Sequence, residues 1–245
     1  MLQVEFLLAL IPPEGIIMRL LLVFAILFSQ LSFADDQHDK NSKLCFSVLK
    51  NLDQVDDLDT LNLCTDFFWH NGGYDNGSFN NVIAIQKRVV QIDPSDVESI
   101  TSVVWLLWSK WVTWKKNPAD MPDGELKVDE ALQFINQYEN SNLSNSEFYL
   151  RVALQLDPLL KNHRPDLIPV SIRFYTKVTL LVSRVSSPEL KMRRLRAELN
   201  LGHWYSFKNT DLQKALFWYS EALQTDPNNK VAKRRIDEIK GPSNL

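Results

Sequence analysis

Chemistry in a protein needs particular side chains at particular spacings, and this 245-residue chain holds few such sets. Its four histidines, His38, His70, His163 and His203, are scattered without the spacing that places two imidazoles on one metal ion. There is no HExxH, no GxSxG and no glycine-rich loop ahead of a helix, so metal hydrolysis, serine acyl transfer and phosphate cradling have no recognisable apparatus. The acidic pairs Asp56-Asp57 and Asp129-Glu130 suit solvated faces at helix starts, where the dipole favours negative charge. No catalytic residue, metal ligand or cofactor site is expected.

Two other sets are more informative. Cys45 and Cys64 lie 19 residues apart, each inside an apolar helical pattern, with an Asp-rich connector centred near Gln54 between them. Two antiparallel helices joined there would bring the thiols to one height, giving a disulfide in an oxidising compartment or two buried free thiols otherwise. The second set is Trp105, Trp108, Trp111 and Trp114, at three-residue intervals. Each step advances about 300° on an α-helix, so the four indoles sweep about half the circumference. They serve core packing, a binding surface, or, with Lys110, Lys115 and Lys116, a membrane-surface helix. Asn76-Gly77-Ser78 and Asn142-Leu143-Ser144 match the glycosylation acceptor pattern, which has meaning only in a eukaryotic secretory pathway.

The elements that position these residues are helical. Apolar side chains make up 45% of the chain and glycines number only seven, which starves it of the tight turns that sheet proteins use. Apolar periodicity predicts ten helices, at 42–52, 58–70, 78–92, 96–116, 126–140, 145–156, 166–184, 188–207, 211–225 and 229–239. Asn71-Gly72-Gly73, Asn76-Gly77 and Asp123-Gly124 mark breaks, and Pro94 and Pro227 are expected in first helical turns. Short connectors make neighbouring helices antiparallel, so the pairs 58–92, 96–140, 145–184 and 188–225 read as hairpins, with 42–52 and 229–239 as caps.

Residues 1–34 differ from the rest. Leu20 to Phe33 is apolar apart from Ser29, Gln30 and Ser32, follows Met18-Arg19, and leads to Ser32-Phe33-Ala34, the small-x-small pattern of a signal peptidase site. Residues 1–34 therefore read as a secretion signal cleaved before Asp35, with 1–17 an upstream start artefact, or else as an uncleaved membrane anchor. Membrane contact is expected only through that leader. Residues 35–41 are polar and read as a flexible start, leaving 42–245 as the helical domain. Residues 35–100 hold 5 basic and 12 acidic side chains, and residues 101–245 hold 21 and 16. Such polarity steers partners and does not single out nucleic acid.

The stretch 195–229 is the most regular. Ala197-Glu-Leu-Asn-Leu-Gly-His-Trp-Tyr205, Lys214-Ala-Leu-Phe-Trp-Tyr-Ser-Glu-Ala-Leu223 and Asp226-Pro-Asn-Asn229 together resemble a tetratricopeptide repeat. Leu201, Gly202 and Tyr205 match the first helix of that motif, and Ala215, Tyr219, Ala222 and Pro227 the second helix and its turn. An extra residue in Lys208 to Asp211 departs from the pattern. A weaker match ends at Gln91-Ile-Asp-Pro-Ser-Asp96, with Pro94 lying 133 residues before Pro227, close to four periods of about 34. Gln155-Leu-Asp-Pro158 resembles the turn but closes a first helix. Another α-solenoid family would give a similar pattern.

The resemblance implies an all-α solenoid of about four hairpins plus caps, whose first helices line a concave groove for peptide segments. Aligned on the turns, it puts Glu98, Thr101, Trp105 and Trp108 on that side, and Arg196, Leu199, His203 and Ser206 in the clear repeat. An aromatic wall with a cationic residue suits an extended peptide carrying an acidic group, although Arg196 also fits a solvated charge in Lys191-Met-Arg-Arg-Leu-Arg196. The family's Lys and Asn clamp for a terminal carboxylate is not evident. The expectation is a non-enzymatic protein- or peptide-binding scaffold outside the cytoplasm, periplasmic or secreted, without nucleic acid. The alternatives are an assembly subunit of an envelope complex and, further off, an enzyme with an atypical site.

Overall fold

A computed structural model describes residues 38–71, 78–112, 124–162, 164–207 and 210–241. The described residues are all-α, with no strand among them. Ten helices follow in order: α1 (38–50), α2 (Leu58–Asn71), α3 (Ser78–Ile92), α4 (Val97–Val112), α5 (Gly124–Glu139), α6 (Ser146–Asn162), α7 (Ile168–Leu181), α8 (Pro188–Ser206), α9 (Leu212–Thr225) and α10 (Lys230–Lys240). The leader, residues 35–37, Asn76-Gly77 of the first glycosylation triplet, residues 113–123 with Trp114, Lys115 and Lys116, and the side chains of Ser78, Lys110 and Trp111 lie outside the described residues.

Helix starts are set by short polar side chains that accept from otherwise unpaired N–H groups. Asp57 accepts from Thr60 N at 3.1 Å, Asp96 from Glu98 N and Ser99 N at 3.0 and 3.1 Å, and Asn145 from Glu147 N and Phe148 N at 3.0 and 3.3 Å. Asp211 and Asn229 do the same at 3.0 Å for Lys214 N and Ala232 N. Pro94 and Pro227 therefore sit in the turns ahead of Asp96 and Asn229 and not in first helical turns, because the capping residues, not the prolines, begin the helices.

The chain divides into two compact units, Met1–Val82 and Ile83–Leu245, and the division falls within α3. In the first, Cys45 and Cys64 are joined by a disulfide with Cα atoms 5.1 Å apart, flanked by buried Val48, Leu61, Phe67 and Phe68. Residues 38–41, expected within a flexible start, form the first turn of α1, and the His38 ring lies 5.5 Å from Phe67.

In the second unit, α4 packs on α5 and α6, α6 on α7 and α8, α8 on α7 and α9, and α9 on α10. One core runs through α4 to α8, from Val97, Ile100 and Trp108 through Phe148, Tyr149, Phe174 and Tyr175 to Leu201 and Trp204. A smaller cluster of Leu195, Ala215, Tyr219, Ala222 and Ala232 joins α8, α9 and α10. Gly202 sits where α8 and α9 come closest: a Cβ there would lie 2.6 Å from the Tyr219 ring. Two boundaries depart from the periodicity. α6 runs on through Pro158 to Asn162 where a stop at 156 was expected, because Leu159 and Leu160 are fully buried and their packing offsets the hydrogen bond that proline removes. α7 ends at Leu181, and the Arg194 guanidinium donates to the carbonyls of Thr179 and Val182 at 2.8 and 2.5 Å, satisfying that helix end from a different helix.

Candidate functional site

Helix α8 lines a concavity. Ser187 caps it by accepting from Leu190 N, and Pro188 occupies its first turn. Its core side carries Leu195, Ala197, Glu198, Leu201, Gly202 and Trp204, all buried. Glu189, Met192, Arg193, Arg196 and Leu199 line the adjoining stripe, spaced three or four apart apart from one adjacent pair, so they follow one helical face. With Leu150 of α6 and Asn229 ahead of α10, they line an open hollow of about 500 Å³.

The electrostatics of this cavity are uneven. Arg193 is held by two carboxylates, Glu189 at 2.6 Å and Glu147 at 3.0 Å, and Glu147 also pairs with Arg151 at 2.8 Å. Arg196 is exposed and, among the described residues, no carboxylate pairs with it; its charge is felt by the Tyr175 phenol beneath. Met192 forms a lip, 63% exposed.

The eight residues implied by the repeat resemblance separate. Arg196 and Leu199 line this cavity, whereas Ser206 lines a second hollow of about 260 Å³ with Leu212, Arg235, Glu238 and Ile239. His203 is half-buried against Trp204 and Phe207; burial, with the Lys161 and Arg235 charges, lowers its pKa from the ordinary histidine value. Glu98 is exposed on the first turn of α4 and Trp105 is half-buried against the core. Thr101 and Trp108 are both buried. Thr101 is buried with its hydroxyl donating to Val97 O at 2.8 Å, and Trp108 is only 4% exposed, because α5 and α6 cover that side of α4.

Comparison with protein-family models, curated proteins and solved structures finds no match to this chain. Its chemistry therefore rests on its own residues.

Three contributors to the cavity, Met192, Arg193 and Glu189, were legible as the extension of the Arg196 and Leu199 face toward the start of α8. Leu150 and Asn229 come from other elements and have no local signal. Of the acidic pairs, Asp56, Asp57 and Asp129 are solvent-exposed, with Asp57 also capping its helix, whereas Glu130 is half-buried and bridges Lys87 of α3 at 2.5 Å and Lys127 at 2.9 Å. Burial alone would raise the Glu130 carboxyl, but the two ammonium groups hold it below its ordinary value. Asn142 is 2% exposed and its amide donates to Pro94 O at 2.9 Å and Tyr138 O at 3.0 Å, so in the folded chain it is a tertiary clasp and not an accessible glycosylation acceptor.

Asp157, half-buried, ties helices together. Asp157 Oδ1 accepts from Ser171 Oγ at 2.7 Å and Trp204 Nε1 at 3.0 Å, and Oδ2 accepts from the Tyr175 hydroxyl at 2.5 Å, linking α6, α7 and α8. Burial raises its carboxyl above the ordinary value, with the three donors pulling the other way, and burial together with Asp157 pushes the Tyr175 phenol up. With both oxygens occupied, this carboxylate positions helices and is not poised as a general base. Glu198, fully buried, pairs with Arg194 at 2.7 Å, and burial raises it too. Among the described residues, no group of three or more His, Cys, Asp or Glu is placed to hold a metal ion, and no helix is long and apolar enough to cross a membrane.

Proposed function

We propose that this chain is a non-enzymatic scaffold of tetratricopeptide type that binds a protein or peptide segment in the α8 cavity, outside the cytoplasm. The observation that carries the reading is the apolar hollow of about 500 Å³ bordered by Arg196, with which no carboxylate pairs among the described residues. A hollow of that size suits side chains of an extended segment better than a reacting centre, since its lining holds no nucleophile paired with a base. The successive packed pairs α4/α5, α6/α7 and α8/α9, with α6 packed on both of the other first helices, α4 and α8, support a solenoid arrangement. The apolar stretch Leu20 to Phe33 and the Cys45–Cys64 bridge support export to an oxidising compartment.

Panning a phage-displayed random dodecapeptide library against the full chain tests this. Sequences enriched on the wild type should be lost on Met192→Gln/Leu199→Gln, with thermal melting showing that the variant is folded. Equal enrichment on both proteins would refute the cavity as the binding site. An assembly subunit using the second helices is the alternative, favoured by Leu180 at 75% exposure in the last turn of α7, Val185 at 93% in the turn after it, and Phe217 at 55% on α9. Partner recovery lost in Leu180→Asp/Val185→Asp but kept in the cavity variant would select it.

A further inference from the structure

We infer that the α8 cavity takes a segment carrying a single carboxylate beside an apolar side chain, with Arg196 as the residue that reads the acid. This rests on the cavity being the binding site and adds what it selects. Charge complementarity favours such a segment. The local ionic set is Arg151, Arg193 and Arg196 against Glu147 and Glu189. Arg193 is already claimed by Glu147 and Glu189, and Arg151 by Glu147, which among the described residues leaves one positive charge of this set uncompensated, at Arg196.

Geometry places that charge next to apolar surface. Arg196 and Leu199 are one turn apart on α8, Met192 lies one turn the other way, and Leu150 and Leu195 form the apolar wall. A guanidinium at such a boundary pairs with carboxylate in a fork that a neutral amide cannot reproduce, and the adjoining hollow buries an aliphatic or aromatic neighbour. The occupied state of Arg193 limits the preference to one acidic residue. A polyacidic tract gains no second partner and meets Glu189, itself 76% exposed at the rim. Basic segments meet Arg196 without compensation.

The test uses the same dodecapeptide library on the full chain. Wild type should enrich sequences with one Asp or Glu adjacent to an apolar residue, Arg196→Gln should lose the acidic preference, and Arg196→Glu should enrich Lys or Arg at that position. A synthetic wild-type-selected peptide with its acid changed to the amide should bind about tenfold more weakly, and the difference should shrink as salt is raised. Arg196 is exposed, and melting curves verify that both variants fold. If enrichment depends on Met192 and Leu199 but shows no acidic bias, or the bias is unchanged in Arg196→Gln and Arg196→Glu, the acid-reading role is overturned while the cavity stands. If no enrichment depends on the cavity, both fall.

Discussion

Replacing Gly202 by alanine sets two known effects against each other. The added Cβ would meet Cε1, Cδ1 and Cζ of Tyr219 at 2.6, 2.7 and 2.8 Å, where ordinary contacts begin near 3.4 Å. Tyr219 is 1% exposed and enclosed by Leu195, Ala215, Ala222 and Ala232, so its ring has no outlet to solvent. Either the ring leaves its rotamer or α8 and α9 move apart. Overpacking of this kind costs about 1–3 kcal/mol. Alanine in place of glycine within a helix contributes about 1 kcal/mol the other way. With three ring atoms below contact distance the loss should fall near the top of its range, for a net destabilisation of about 1–2 kcal/mol. Urea unfolding of the full chain, followed by tryptophan fluorescence, should show a lower midpoint with an unchanged slope. In a Tyr219→Ala background the same substitution should stabilise by about 1 kcal/mol, since only helix propensity remains. A stabilisation of equal size in both backgrounds would refute the close approach of α8 and α9.

Removing the bridge with Cys45→Ser/Cys64→Ser, or reducing it, should destabilise the Met1–Val82 unit by about 3 kcal/mol, as expected for closing a loop of this size; hydrogen exchange in α1 and α2 measures it, and unchanged protection there would contradict it. Asp157→Leu should cost at least about 3 kcal/mol by stranding the Ser171, Tyr175 and Trp204 donors, whereas Asp157→Asn should be far milder because Ser171 and Trp204 both donate to an oxygen that asparagine retains. The folded Asp157 carboxyl lies above its ordinary 3.8, so the native state holds that proton more tightly and the resulting stability is present below 3.8 and lost as pH rises through the folded value. Acid-range denaturation should therefore show wild type losing stability relative to Asp157→Asn as pH climbs, and an opposite trend would overturn the assignment. Trp108→Ala should cost about 3–5 kcal/mol by opening the core; a folded, equally stable variant that had lost only binding would place Trp108 in the groove.

The chain's apolar period, its capping Asp and Asn residues and its shortage of glycine determined by themselves an all-α protein and nearly all the helix positions. Spacing also set Cys45 and Cys64 at matching heights on consecutive helices, and the small residues Gly202, Ala215 and Ala222 marked the tight α8–α9 contact. The tertiary structure alone decided which apolar faces are covered. α4 is apolar around much of its circumference, so periodicity could not tell that Thr101 and Trp108 lie under α5 and α6. It was non-local burial of Leu159 and Leu160 that carried α6 past Pro158. The site followed the same division. Arg196 and Leu199 share a helical face that can be read locally, but whether an arginine is available depends on carboxylates elsewhere in the chain. Glu147 of α6 reaches Arg193 across 46 positions, while among the described residues no carboxylate pairs with Arg196. Local spacing fixes faces, whereas pairing and burial depend on which distant helices meet them.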